Sequence, residues 1–197
     1  MKHAPRILMI AAALLLAGMY LVPIWEISLE APQYPEGIGM NIHLHTVRGE
    51  KPNDLANING LNHYIGMKRI EPDSIAELKY MPYIVAAMIL FALAAAFRRS
   101  RVLFLAWTLC MTLLGVAGMV DFYIWEYDYG HDLDPRAAIK IPGMSYQPPL
   151  LGSEQILNFT ATSLPGPGGF FAAGAVLAGA AAWYFSGRLK KKGAWNR

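Results

Sequence analysis

Residues 91–107, FALAAAFRRSRVLFLAW, decide how this chain is read. Two apolar runs meet at Arg98-Arg99-Ser100-Arg101, a turn short enough to imply an antiparallel helix hairpin. Three arginines in so short a turn place it on the cytoplasmic side of a membrane by the positive-inside rule.

Outward from this hairpin the charge pattern repeats. Every acidic residue falls in two stretches, roughly 26–80 and 121–168, whereas Lys2 and Arg6, the arginine turn, and Arg188, Lys190, Lys191, Lys192 and Arg197 form three purely basic pieces. Apolar runs separate the two kinds. The pattern predicts an all-α membrane protein with four transmembrane helices, at about 7–24, 81–97, 102–124 and 169–186. Both termini are expected inside, in the cytoplasm, and two sizeable extracytoplasmic loops, about 25–80 and 125–168, carry short helical and strand structure. The whole of 1–197 reads as one multi-pass domain of a bacterial inner membrane.

Composition agrees with that class. The chain of 197 residues is 55 % hydrophobic, with a mean hydropathy of +0.30, too apolar for an ordinary soluble domain. Its net charge of +3 and pI near 9.0 do not point to nucleic acid, because the basic residues flank membrane segments instead of forming a groove. Cys110, the only cysteine, lies in the third apolar run and reads as a small core residue, so no internal disulfide staples the loops. The first apolar run has the basic start of a secretion signal. It lacks a small-x-small cleavage site at Gly18-Met19-Tyr20-Leu21-Val22-Pro23, so a retained anchor is expected.

Within the first loop, Pro32, Pro35, Gly37 and Gly39 disfavour a continuous helix, and Asn41 to Val47 alternates as a short strand would. Leu55, Ile58, Leu61 and Ile65 fit a short amphipathic helix, and Ser74-Ile75-Ala76-Glu77 has the form of a capping box. Glycine pairs at Gly115 and Gly118, and at Gly174 and Gly179, read as faces for close helix packing.

Four of the five histidines lie outside: His43, His45, His63 and His131. On a strand, His43 and His45 project to one side, and two such imidazoles can chelate a transition metal. On a helix, His63 and Met67 share a face. Imidazole binds either copper oxidation state, and thioether favours Cu(I). His131 and Met144 can bring the second loop to the same site, with Met40 as a further thioether. The plainer alternative is that these histidines are half-exposed surface groups and the methionines fill packing gaps. The acids Asp121, Glu126, Asp128, Asp132 and Asp134 lack the spacing of a calcium loop and read as a solvated rim or a docking surface for a basic partner. Asp121, near the membrane boundary, is the one expected to be internally paired. No nucleophile elbow, zinc-protease motif, phosphate loop or cysteine pair is present, and no histidine lies in a span to hold haem. An enzyme is not expected.

The segments Asn62-His63-Tyr64-Ile65-Gly66-Met67, Trp125 to Pro135 and Pro142 to Leu150 resemble those of small four-helix membrane proteins encoded beside nitrous oxide reductase maturation systems in bacteria related to Bacteroidetes. The resemblance implies an accessory role, since nitrous oxide reductase is a multicopper enzyme assembled outside the cytoplasmic membrane. It joins the copper reading of His43, His45, His63, Met67, His131 and Met144. Two alternatives stand beside it: a docking or electron-transfer subunit that serves a copper enzyme or cytochrome without its own metal, and a membrane enzyme built on a catalytic copper.

Overall fold

The computed structural model describes residues 3–191. Of the basic pieces, Lys2, Lys192 and Arg197 lie outside the described residues, as do the side chains of Lys190 and Lys191. The elements in chain order are α1 (Ala4–Gly18), β1 (Trp25–Ala31), β2 (Tyr34–Ile42), β3 (Val47–Gly49), α2 (Asp54–Ile65), α3 (Ala76–Arg98), α4 (Arg101–His131), β4 (Gly152–Ile156), β5 (Phe159–Pro165) and α5 (Pro167–Lys191).

This corrects the all-α expectation. The part outside the membrane segments is a five-stranded antiparallel sheet with strand order β3-β2-β1-β5-β4, so the fold is mixed α and β. Strand periodicity explains why. In β1, Ile27, Leu29 and Ala31 turn inward and alternate with Glu26, Ser28 and Glu30; in β5, Ala161 and Ser163 are fully buried while Thr160 and Leu164 face out. The region 41–47 is not one strand: β2 ends at Ile42, and residues 43–46 form the turn into β3, closed by the His43 N–H donating to the Thr46 carbonyl at 2.8 Å.

Helices α3, α4 and α5 are each long and apolar enough to cross a membrane. Helix α1, at 15 residues, is shorter, but Met9, Ala12 and Leu16 are fully buried among the same helices. Trp107, also fully buried, donates its indole N–H to the Met88 carbonyl at 2.8 Å and ties α4 to α3. Of the expected packing glycines, Gly179 leaves no room for a Cβ against the Trp107 ring, whereas a Cβ on Gly115 or Gly118 would meet open space. Arg6 lies over Phe97, Arg101 over Trp183 and Arg188 over Tyr184, which gathers the basic residues at one end of the bundle. Proline 82 sits inside α3, and its carbonyl accepts the Tyr20 hydroxyl. Ser74 does not cap α3; it lies in a 3-10 turn at Pro72–Ser74 and bonds back to Glu71, while Ile75 occupies the cap position.

At ~1.5 Å per residue, the 31 residues of α4 span ~46 Å against a hydrocarbon layer of ~30 Å. Its last turns exceed what a crossing needs. Phe122, Trp125 and Tyr129 pack there against the sheet core of Ile27, Ile38, Met40 and Val47, which Ile58 of α2 completes. Met40 is therefore a packing residue.

The sheet and the helix bundle meet at one seam. As α1 leads into β1, β5 leads into α5, and β1 pairs with β5 from Trp25↔Pro165 to Glu30↔Thr160. At the crossing, the Gly168 N–H donates to the Pro23 carbonyl at 2.8 Å, and the Gly166 N–H donates to the Ile24 carbonyl at 3.1 Å. A Cβ on Gly169 would stand 2.7 Å from the Ile24 oxygen. Backbone cannot yield as a flexible side chain does, so Gly169→Ala is expected to destabilise by about 1–3 kcal/mol through overpacking. Gly60→Ala, in open space on α2, should instead stabilise by about 0.5–1 kcal/mol. Thermal unfolding of both variants in detergent checks the pair, and equal midpoints would remove the seam argument.

Candidate functional site

The groove that holds His63 and Met67 is built from α2 and the segment that returns along it. Helix α2 ends at Ile65, and Gly66 adopts the left-handed conformation (φ 83°) that turns the chain back. Met67 is therefore off the helix, contrary to the expected shared helical face. It is nonetheless brought to His63, because two asparagines clamp the returning chain. The Asn59 side chain both donates to the Ile70 carbonyl (3.1 Å) and accepts from the Ile70 N–H (2.7 Å). The Asn62 side-chain amide donates to the Lys68 carbonyl at 3.3 Å, while the Asn62 backbone carbonyl accepts the Met67 N–H at 2.9 Å. His63 and Met67 then line one open groove of about 370 Å³ with Ala56, Asn59, Gly60 and Arg69. Sequence reasoning missed both asparagines; their spacing, three apart on the helix face nearest the turn, was the available signal.

The second loop closes over the end of this groove. The Asp134 N–H donates to the Gly66 carbonyl at 2.8 Å, the Ile139 N–H donates to the Tyr64 carbonyl at 2.9 Å, and Lys68 pairs with Asp132 at 2.7 Å. Tyr129 donates to the Arg69 carbonyl at 3.2 Å. Both outer segments thus contribute to one structure, although not through the residues expected to share a site.

His43 and His45 are elsewhere, in the β2–β3 turn. Between them Leu44 is fully buried in the helix-bundle core. Their ring centres are 6.3 Å apart. Burial, then the positive Arg48 and neighbouring His45, hold the His43 pKa below its ordinary value; a hydrogen bond to the Val22 backbone opposes this. His131, exposed at the end of α4, bonds the Tyr127 carbonyl through Nδ1 (3.0 Å) and stacks on the Tyr127 ring at 4.0 Å. Met144 is half-buried in the loop after α4. Among the described residues no three His, Cys, Asp or Glu side chains converge as a metal cluster. The donor chemistry that fits copper is therefore pairwise: imidazole with thioether in the groove, and imidazole with imidazole in the turn.

The acidic rim also resolves differently. Asp132 and Asp134 pair with Lys68 and Arg136, and Asp121 is exposed. Glu126 is fully buried, and neither carboxyl oxygen has a hydrogen-bond partner among the described residues. One turn above it, the Gly130 carbonyl accepts the Tyr146 N–H at 3.0 Å and Gly130 packs directly on the Gln147 backbone. One turn below, Phe122 meets Trp25 edge to face. Burial pushes the Glu126 pKa up from 4.5 to about 8. The folded protein thus holds Glu126 protonated at pH values where the unfolded chain has lost the proton. Stability should fall as pH rises between about 4.5 and about 8. Glu126→Gln is expected to flatten that slope, which unfolding midpoints across the interval will show; an unchanged slope would mean that Glu126 is ionised in the fold.

No protein-family model matches the chain, and no curated protein is significantly similar to it.

Proposed function

We propose that this protein is a membrane-anchored accessory factor that handles copper on the outer face of the bacterial cytoplasmic membrane, for an extracytoplasmic copper enzyme. The observation that carries the reading is that His63 and Met67 line one open groove. This pair suits Cu(I). Arg69 on the same groove disfavours higher charge, and a site of two protein donors releases its ion readily to a partner with more. Resemblance to proteins encoded beside nitrous oxide reductase maturation systems supports that reductase as the recipient. The reading assigns no catalytic residue and no enzymatic step.

The topology that goes with this reading has α1 as a fourth span and both termini in the cytoplasm. Clustering of Arg6, Arg101 and Arg188 over aromatic rings at one end of the bundle supports it. Lipid surrounds the bundle, and the sheet, α2 and the end of α4 stand outside.

A second reading, a docking subunit without its own metal, is favoured by the exposed ring stack of Tyr127 on His131, with Tyr123 a turn below. Such a surface suits a redox partner protein.

Anaerobic Cu(I) titration of the detergent-purified protein against a chromophoric chelator separates the two. Stoichiometric binding that is weakened by His63→Ala and Met67→Ala is the expected result. Absence of Cu(I) binding by the wild-type protein would transfer the preference to the docking subunit.

A further inference from the structure

The turn between β2 and β3 carries a pair of imidazoles that the groove does not use. It is held from three directions. Leu44 is fully buried in the helix core, the His43 N–H closes the turn onto the Thr46 carbonyl, and the Ile24 N–H donates to the Ile42 carbonyl at 2.7 Å just before it. The two histidines that flank Leu44 are consequently fixed at the membrane-facing edge of the outer domain, where His43 meets the Val22 backbone. His45 is exposed and leaves the pair open to the outside.

The ring separation is informative. Nitrogens about 2 Å from a metal, with each ring centre about 1.1 Å further back, put two imidazole centres about 6 Å apart when the bonds are collinear, and about 5 Å apart at a tetrahedral angle. The observed 6.3 Å between ring centres, with the planes 50° apart, is nearer in length to the collinear value than to the tetrahedral one. Collinear two-donor ligation is characteristic of Cu(I), whose filled d shell imposes no higher coordination, whereas Zn(II) and Cu(II) take four or more donors. Charge acts in the same direction. Both donors are neutral when they bind, no carboxylate acts on His43, and the Arg48 guanidinium does, so each added positive charge on the ion is penalised.

We propose that the His43-Leu44-His45 turn is a second Cu(I) site, two-coordinate and separate from the His63–Met67 groove, positioned at the membrane-facing edge of the outer domain. It rests on the copper reading above and divides it into two stations: an all-nitrogen site beside the bilayer and a nitrogen–sulfur site in the groove. An ion arriving at the membrane surface meets the first station before the second. No bond other than ligand to metal forms or breaks, and the copper stays Cu(I) throughout.

The test uses the full chain in detergent with Cu(I) alone as probe, under anaerobic conditions. Wild type is expected to bind two equivalents. His63→Ala/Met67→Ala should keep one, and X-ray absorption of that variant should show two nitrogen neighbours and no sulfur. His45→Ala, at an exposed position that does not threaten folding, should remove the equivalent kept by that variant and leave the sulfur-containing one in wild type. Two outcomes overturn this proposal but leave the copper function standing: one equivalent in wild type that vanishes with His63 and Met67, or an unchanged stoichiometry in His45→Ala. Wild type that binds no Cu(I) overturns both. Zn(II) bound by the turn as tightly as Cu(I) overturns the two-coordinate assignment.

Discussion

Backbone contact between Pro23-Ile24 and Gly166 to Gly169 is the constraint on which the rest of this molecule depends. There a pair of packed helices becomes a pair of hydrogen-bonded strands, across the six residues 19–24 on one side and Gly166 alone on the other. Helices pack 8–10 Å apart, whereas strands in a ladder lie about 4.8 Å apart, so the two chains must converge steeply as they leave the membrane. Only residues without side chains allow that approach, and the segment Pro165-Gly166-Pro167-Gly168-Gly169 supplies them. Once β1 and β5 are joined, the two hairpins extend the sheet on either side, and α4 has an apolar surface for its outer turns. Trp25 reinforces the seam by donating to the buried Ser163 hydroxyl at 2.7 Å.

Much of the membrane part was legible in the chain because hydropathy and charge act locally. A run such as Val102 to Ile124 declares itself without reference to anything else. The sheet was not legible by that route. Trp25 to Ala31 alternates with the period of a strand, yet β5, the partner that makes it a central strand, lies beyond α2, α3 and α4. Phe159 to Pro165 alternates equally well but uses alanine and serine on its inward face, so its apolar signal is weak. Pairing between distant segments is a property of the whole fold, and no window of the sequence contains it.

The site shows the same division. Histidine and methionine were recognisable as metal-binding side chains from their chemistry alone, but their grouping depended on turns. Periodicity put His63 and Met67 on one helix, whereas a left-handed glycine and two asparagine clamps bring them together after the helix has ended. It put His43 and His45 on one strand, whereas they flank a leucine anchored in the bundle. Glu126 appeared as one acid among several beside aromatic residues. Its burial follows from the length of α4, which carries it to the segment around Tyr146 and Gln147, a placement no local pattern encodes.

The antiparallel pairing of β1 with β5 also sets an order of events during synthesis. Trp25 and Ser163 are 138 residues apart, so at roughly 5–20 residues per second β1 waits on the order of ten seconds for its neighbour. In that interval the β1–β2 hairpin presents an open edge, and α1 lacks α5, whose Phe171 and Gly174 lie against Gly18 and Leu15. Arrival of β5 closes the sheet, and α5, which follows it directly, completes the bundle. The sheet is therefore complete only when nearly the whole chain has been made, and a chain truncated before β4 leaves the edge of β1 open to pairing with other strands.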